Sequence, residues 1–214
     1  AAGLGNRLLP LTEDKPKCLI EFSGKTLLDR LLKTFKSCGV NDIVLVIGHK
    51  NEKIKNVDLN LVKNEKYNKT GIMHSLFCAR EKLEETVIIS YGDIIFENSV
   101  LEKLLESKYD ITAVVDKKWE KYWKLRTDKP LSDVESLLMD KKNFITNIGE
   151  KNLKSFDKIC GQFIGLIMFQ NKGLNDLKEF FNKIYSEATK EYNPLNTNVP
   201  FEQSTLTNFL QGMI

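Results

Sequence analysis

The 214-residue sequence is poor in the residues that build metal and disulfide frameworks, with 4 cysteines and 2 histidines. The cysteines are Cys18, Cys38, Cys78 and Cys160, and no two of them form a C-x-x-C pair. This spacing argues against a zinc site. We expect reduced thiols in the core of a cytoplasmic protein.

The sequence also lacks an excess of either charge and any long apolar run. Its 32 basic and 29 acidic residues give a net charge of +3, which argues against nucleic acid as a partner. No stretch approaches the roughly 18 apolar residues of a membrane-spanning helix. Only four of the basic residues are arginines, the side chain best suited to bidentate anion contacts: Arg7, Arg30, Arg80 and Arg126.

Apolar periodicity predicts alternating helices and strands in the first half of the chain. Helices are predicted at 26–38, 71–83 and 99–107, and buried strands at 43–47, 59–62, 87–90 and 111–115. This order indicates an α/β fold with a mostly parallel sheet. A hairpin at 136–148, an apolar strand at 163–169 and helices at 174–185 and 204–211 follow. We expect these antiparallel strands to cover one side of the sheet.

The opening segment, AAGLGNRLLPLTEDKPKCL, carries the strongest local signal. Gly3 and Gly5 let backbone amides approach an anion, and Arg7 adds a guanidinium. A lone G-x-G indicates a tight turn equally well. It is neither a dinucleotide fingerprint, since the third glycine is missing, nor a Walker loop, since no Gly-Lys-Ser/Thr follows.

Taken whole, this string and Gly24-Lys25-Thr26-Leu27-Leu28 resemble the signature of the sugar-nucleotide nucleotidyltransferase superfamily. The resemblance implies a Rossmann-like three-layer mixed sheet, mostly parallel, with an antiparallel acceptor-side extension. It implies that a loop containing Ala2, Gly3, Gly5 and Asn6 wraps the nucleotide triphosphate. It further implies that Arg7 binds the leaving pyrophosphate and that Lys17 neutralises charge at the α-phosphate, where two anions must meet.

Tyr91-Gly92-Asp93 follows a predicted strand and looks most like the segment of cytidylyltransferases from phosphonate and phosphocholine pathways. A carboxylate at the end of a strand suits Mg²⁺, although a turn or helix-cap aspartate is the plainer interpretation. The resemblance implies that Asp93 is the metal ligand, with Tyr91 and Gly92 beside the nucleotide. It places a second ligand at Asn208, or at Glu202 if the charge is supplied there.

Thr70, Gly71 and Ser75 stand where similar enzymes hold the nucleobase. A serine at a helix start needs no ligand, and His74 is more simply a surface histidine than a base. The reaction requires no base, because a phosphate oxygen is already ionised near pH 7.

Six residues are expected on the acceptor side. Two tryptophans among charges suggest a pocket wall or lid, although core packing is the default for tryptophan, and Arg126 could pair with an acceptor carboxylate or phosphate. Gln162 stands where sugar-specific relatives commonly carry glutamate, which disfavours a plain hexose phosphate. The six are Asp116, Trp119, Trp123, Arg126, Gly161 and Gln162.

The resemblance implies a Mg²⁺-dependent cytidylyltransferase that transfers CMP from CTP to a small phosphorylated or phosphonylated acceptor and releases pyrophosphate. Phosphocholine, an aminoalkylphosphonate, phosphoglutamine and an unusual sugar phosphate remain open as acceptors, with products that feed surface polysaccharide or lipid decoration. Alternatives are a uridylyl- or thymidylyltransferase and a non-catalytic nucleotide-binding regulator. We expect one domain over residues 1–214, lacking a first strand and a tail that relatives have, and a homodimer is compatible.

Overall fold

The computed structural model describes residues 1–55, 59–195 and 197–214. The strands are β1 (Glu21–Phe22), β2 (Lys25–Thr26), β3 (Val44–Ile47), β4 (Asn60–Lys63), β5 (Thr86–Ser90), β6 (Ile111–Asp116), β7 (Leu137–Met139), β8 (Ile145–Ile148) and β9 (Gln162–Gln170). The helices are α1 (Leu27–Ser37), α2 (Ile72–Cys78), α3 (Asn98–Leu105), α4 (Trp119–Arg126), α5 (Asn171–Glu187) and α6 (Leu206–Met213). Among these residues no helix is long and apolar enough to cross a membrane.

Local sequence explains where the helices begin. Thr26 caps α1 through a capping box, in which its hydroxyl accepts from the Asp29 N–H and the Asp29 carboxylate accepts from the Thr26 N–H. Gly39 ends the same helix with a φ of 83°. Helix α3 begins at Asn98 after Glu97, one residue before the start of the helix predicted over 99–107.

The strand pairing differs from the mostly parallel sheet that the sequence predicts. Strands β3 and β4 form a parallel pair, but β9 lies between β5 and β6 and is antiparallel to both. The apolar strand at 163–169 is therefore an inner strand, and the prediction that it covers one side of the sheet is wrong. The predicted hairpin is confirmed as β7 paired with β8.

Strand β9 also shows why the fold has three layers. Its alternating side chains enter two different cores: Leu166 and Met168 pack with α1 and α3, whereas Ile167 and Phe169 pack with α5 and α6. All four side chains are at most 1% exposed. A strand that is buried on both faces has a nearly continuous apolar sequence, as β9 does.

The four cysteines are free thiols in different environments. Cys18 is buried, and burial raises the pKa of its thiol, which keeps it protonated and apolar. Cys160 is exposed, so the expectation of core thiols is wrong for that residue.

Candidate active site

The opening segment lies between the ends of strands β3 and β5. The His49 N–H, just after β3, donates to the Ala2 carbonyl at 3.1 Å. Gly92, just after β5, lies against Ala1. The start of the chain is thus held at the carboxyl ends of two strands, where α/β sheets bind their ligands.

The glycine loop that follows is braced from within. Gly5 has a φ of 72°, and the buried Thr12 hydroxyl donates to its carbonyl at 3.0 Å. Lys50, from the segment after β3, donates to the Thr12 carbonyl at 3.2 Å. Gly3, Asn6 and Arg7 remain exposed. These three predicted residues therefore line an open, supported loop, whereas Ala2, predicted with them, is buried.

Lys17 and Asp93 form an ion pair near the start of this loop, where Cys18 and Gly92 both lie against Ala1. Buried Cys18 anchors the turn that carries Lys17, and Asp93 follows β5, so two separate elements supply the pair. The two side chains are 34% and 29% exposed. The structure brings these two predicted catalytic residues, 76 positions apart in the sequence, into direct contact.

Tyr91 is fixed beside this pair. Its N–H donates to the Gly165 carbonyl at 2.8 Å, and its ring lies directly over Gly165. Burial raises the pKa of the Tyr91 phenol far above its ordinary value, and the nearby Glu135 and Asp93 carboxylates act in the same direction. The phenol therefore stays neutral, and no step that requires a phenolate fits here.

A fully buried asparagine that the sequence analysis missed organises the predicted nucleobase segment. The Asn64 amide donates to the Thr70 and Ser75 hydroxyls, at 2.9 Å each, and its oxygen accepts from the Lys66 N–H at 2.9 Å. The buried Asn64 side chain therefore fixes the positions of the Thr70 and Ser75 hydroxyls. Asn64 directly follows the strand β4 pattern, and nothing in that pattern distinguishes it from a turn residue.

Helix α4 carries part of the predicted acceptor side. Trp119 is 4% exposed and packs with Val134, Leu153 and Ile159, which is the default core role rather than that of a pocket wall. Trp123 is partly exposed, with the Arg126 guanidinium over its ring at 5.4 Å from the centroid. Its indole N–H is buried without a hydrogen-bond partner among the described residues.

Three further predicted acceptor residues lie where β6 ends beside β9. Gly161 packs against Val115, and the Asp116 carboxylate accepts from the Lys118 N–H at 2.7 Å. Gln162 is 5% exposed; its amide nitrogen donates to the carbonyls of Glu135 and Gly161. Both amide hydrogens are thus committed to the backbone, and Gln162 positions Glu135 instead of presenting a free amide.

Two acidic residues that the sequence analysis did not single out stand next to these positions. Asp133 lies between Arg126, at 3.1 Å, and Arg7, at 3.8 Å. Glu135 pairs with Lys151 at 3.5 Å. In a chain rich in lysine and acidic residues, no local pattern marks either carboxylate.

The predicted second metal ligand has another role in this structure. The Asn208 side-chain oxygen accepts from the N–H and the hydroxyl of Thr205 and forms the capping box of α6. The Thr-x-x-Asn spacing is itself a capping signal. Glu202 is exposed, and its carbonyl accepts from the Gly71 N–H at 2.6 Å. Within the described ranges no three His, Cys, Asp or Glu side chains form a metal cluster.

The fold is that of a nucleotidyltransferase. Residues 1–150 match the model of the MobA-like NTP transferase domain, and the chain belongs to that family.

The chain is 36% identical to the CTP:phosphoglutamine cytidylyltransferase of Campylobacter jejuni, over 100% of its own length and 86% of that protein. Two solved structures share its fold. The CTP:phosphocholine cytidylyltransferase of Streptococcus pneumoniae has a TM-score of 0.67 and 21% identity, covering 99% of this chain and 82% of the other. The inositol-1-phosphate CTP transferase from T. maritima has a TM-score of 0.68 and 26% identity, covering 99% and 78%. The predicted resemblance and the cytidylyltransferase function, CMP transfer to a phosphorylated acceptor, are confirmed.

Proposed function

We propose that the chain transfers CMP from CTP to phosphoglutamine or a closely similar phosphorylated amino acid amide, with Mg²⁺, and releases pyrophosphate. The observation that carries this proposal is similarity over the whole of this chain to a CTP:phosphoglutamine cytidylyltransferase, combined with the Lys17–Asp93 pair near the start of the glycine loop. The product would supply the decoration of a surface polysaccharide.

The roles of the residues follow from charge. The acceptor phosphate oxygen attacks the α-phosphorus of CTP in line, and pyrophosphate leaves with the electrons of the broken P–O bond. Lys17 lowers the repulsion between the two anions, and Arg7 takes up charge on the leaving pyrophosphate. In the free protein Asp93 neutralises Lys17, so Lys17 exchanges a carboxylate partner for phosphate when CTP binds.

The residues present fit a magnesium ion bound with the nucleotide. Mg²⁺ usually needs only one or two protein carboxylates, because waters and substrate phosphates complete its coordination. Asp93 supplies one carboxylate, 29% exposed, at the end of β5. Asn208 would have to give up its helix cap to contribute, so we assign the ion to Asp93 and the nucleotide. When bound, Mg²⁺ neutralises phosphate charge.

The acceptor side suits a zwitterion better than a quaternary ammonium. Glutamine carries an ammonium and a carboxylate, and the site offers both signs of charge, with Arg126 and Lys151 beside Asp133 and Glu135. A choline group requires open aromatic faces. Here Trp119 is buried, and Arg126 occupies a face of Trp123.

A substrate panel tests this function. We expect pyrophosphate release with CTP and phosphoglutamine, and rates at least tenfold lower with phosphocholine, inositol-1-phosphate or glucose-1-phosphate. Turnover with UTP or dTTP but not CTP would overturn the nucleotide assignment. NTP binding without turnover on any acceptor would identify a regulator instead.

A variant tests the catalytic assignment. Lys17→Ala should lower kcat about 10²- to 10³-fold, as removal of a transition-state charge contact does. Its stability should change by no more than about 1 kcal/mol, because the pair is partly exposed. Lys33→Ala, on the exposed face of α1, is the control and should keep full activity. Unchanged activity of Lys17→Ala would refute the role.

A further inference from the structure

Asp133 is shared by two guanidinium groups that come from two different elements of the fold. Arg126 Nη2 lies 3.1 Å from Asp133 Oδ2, and Arg7 Nη1 lies 3.8 Å from Asp133 Oδ1. Arg7 belongs to the glycine loop, whereas Arg126 ends α4. One carboxylate therefore joins the proposed phosphate-binding arginine to the proposed acceptor-binding arginine.

The charges set Asp133 and the ligand phosphates in competition for the same arginines. Arg7 is 83% exposed and has its weaker contact with Asp133, so it is free to turn toward a triphosphate. Asp133 repels that triphosphate and competes for Arg7. Arg126, with the closer contact, neutralises Asp133 and limits this competition. A ligand anion that draws Arg126 away would leave Asp133 to Arg7.

We propose that Asp133 is a positioning residue that couples the nucleotide and acceptor sites by exchanging between Arg7 and Arg126. This inference rests on the proposed function, in which Arg7 contacts CTP. An acceptor anion on Arg126 then weakens the hold of Arg7 on phosphate, and nucleotide phosphate weakens acceptor binding by the same factor, since such coupling is reciprocal. The same competition favours the release of pyrophosphate from Arg7 after CMP transfer. Exposed ion pairs of this kind change an equilibrium about 1.4- to 5-fold.

A double-mutant cycle on CTP affinity tests the coupling. Titration calorimetry with CTP and Mg²⁺, without acceptor and at low salt, is performed on the full chain. We expect Asp133→Asn to lower the Kd for CTP two- to fivefold, and Arg126→Gln to raise it by a similar factor. In the double variant Arg126→Gln should add nothing, because its effect passes through Asp133. Asp176→Asn, which removes the same charge from an exposed pair on α5, should leave the Kd unchanged.

Each outcome has a distinct meaning. Equal effects of Arg126→Gln with and without Asp133 would show that Arg126 acts directly and would overturn the inference. A Kd unchanged in Asp133→Asn would do the same. The proposed function fails separately, if the unaltered protein neither binds CTP nor turns it over. Because all three side chains are at least one-third exposed, the folded state should survive, and thermal unfolding verifies this.

Discussion

Asn64 offers the sharpest test of how the fold supports the site. Its side chain is 0% exposed and makes three hydrogen bonds of 2.9 Å, two to hydroxyls and one to a backbone N–H. Asn64→Ala removes all three of these hydrogen bonds at once. The Thr70 and Ser75 hydroxyls still donate to the Lys66 and Gly71 carbonyls, so the main loss is the asparagine's own bonds.

The magnitude follows from these contacts. A hydrogen bond contributes about 0.5–1.5 kcal/mol net, so three of them predict a loss of about 2–4 kcal/mol in the free energy of unfolding. The nucleobase segment should also loosen, which raises KM for CTP more than it lowers kcat.

Urea unfolding followed by circular dichroism measures the stability, and pyrophosphate release measures KM and kcat. Asn60→Ala, at the start of the strand that Asn64 follows, is the matched control, since among the described residues the exposed Asn60 side chain donates only to Asp42, at 3.4 Å. It should stay within about 0.5 kcal/mol of the unaltered protein. A change that small in Asn64→Ala would refute the reasoning.

Three further predictions concern other residues. Gly165→Ala should lower the free energy of unfolding by about 2–4 kcal/mol, because Gly165 has a φ of 86° and a Cβ there would lie 2.3 Å from the Tyr91 ring. Gly39 has a similar φ of 83° but open space around it, so Gly39→Ala should cost about 1 kcal/mol; urea unfolding measures both. Asn208→Ala should cost about 1 kcal/mol while Asn208→Asp keeps the cap, and an altered Mg²⁺ requirement in Asn208→Ala would contradict a purely capping role. Burial lowers the pKa of His74, and the positive charge of Lys66 lowers it further. The unfolded state therefore binds more protons, so the stability should fall as the pH drops through about 6.5. His74→Gln should reduce this loss in thermal melts.

Sequence reasoning succeeded where a local pattern carries the information. The apolar period of α1 and the buried runs at β3 and β5 are set by neighbouring residues, and the structure places these elements within one or two residues of prediction. Motifs predict Lys17 and Asp93 as site residues, and the structure brings them into contact. Their catalytic role stays a prediction.

It failed where distant segments decide the result. The position of β9 depends on pairing with strands more than 40 residues earlier, which no periodicity encodes. Asp133 matters only because Arg7 and Arg126 converge on it, and Asn64 only because Thr70 and Ser75 fold back to it. Trp119 and Gln162 carry suitable chemistry, but packing buries one and backbone contacts occupy the other.

The place of β9 has a consequence for synthesis. Thr86 of β5 pairs with Gln170, and β6 pairs with the same strand, so the facing edges of β5 and β6 stay unpaired until β9 has been synthesised. A fragment cut at residue 150, where the family match ends, would lack β9 and leave the facing edges of β5 and β6 unpaired. Such a fragment should aggregate, and the nascent chain should need protection until residue 170 has left the exit tunnel.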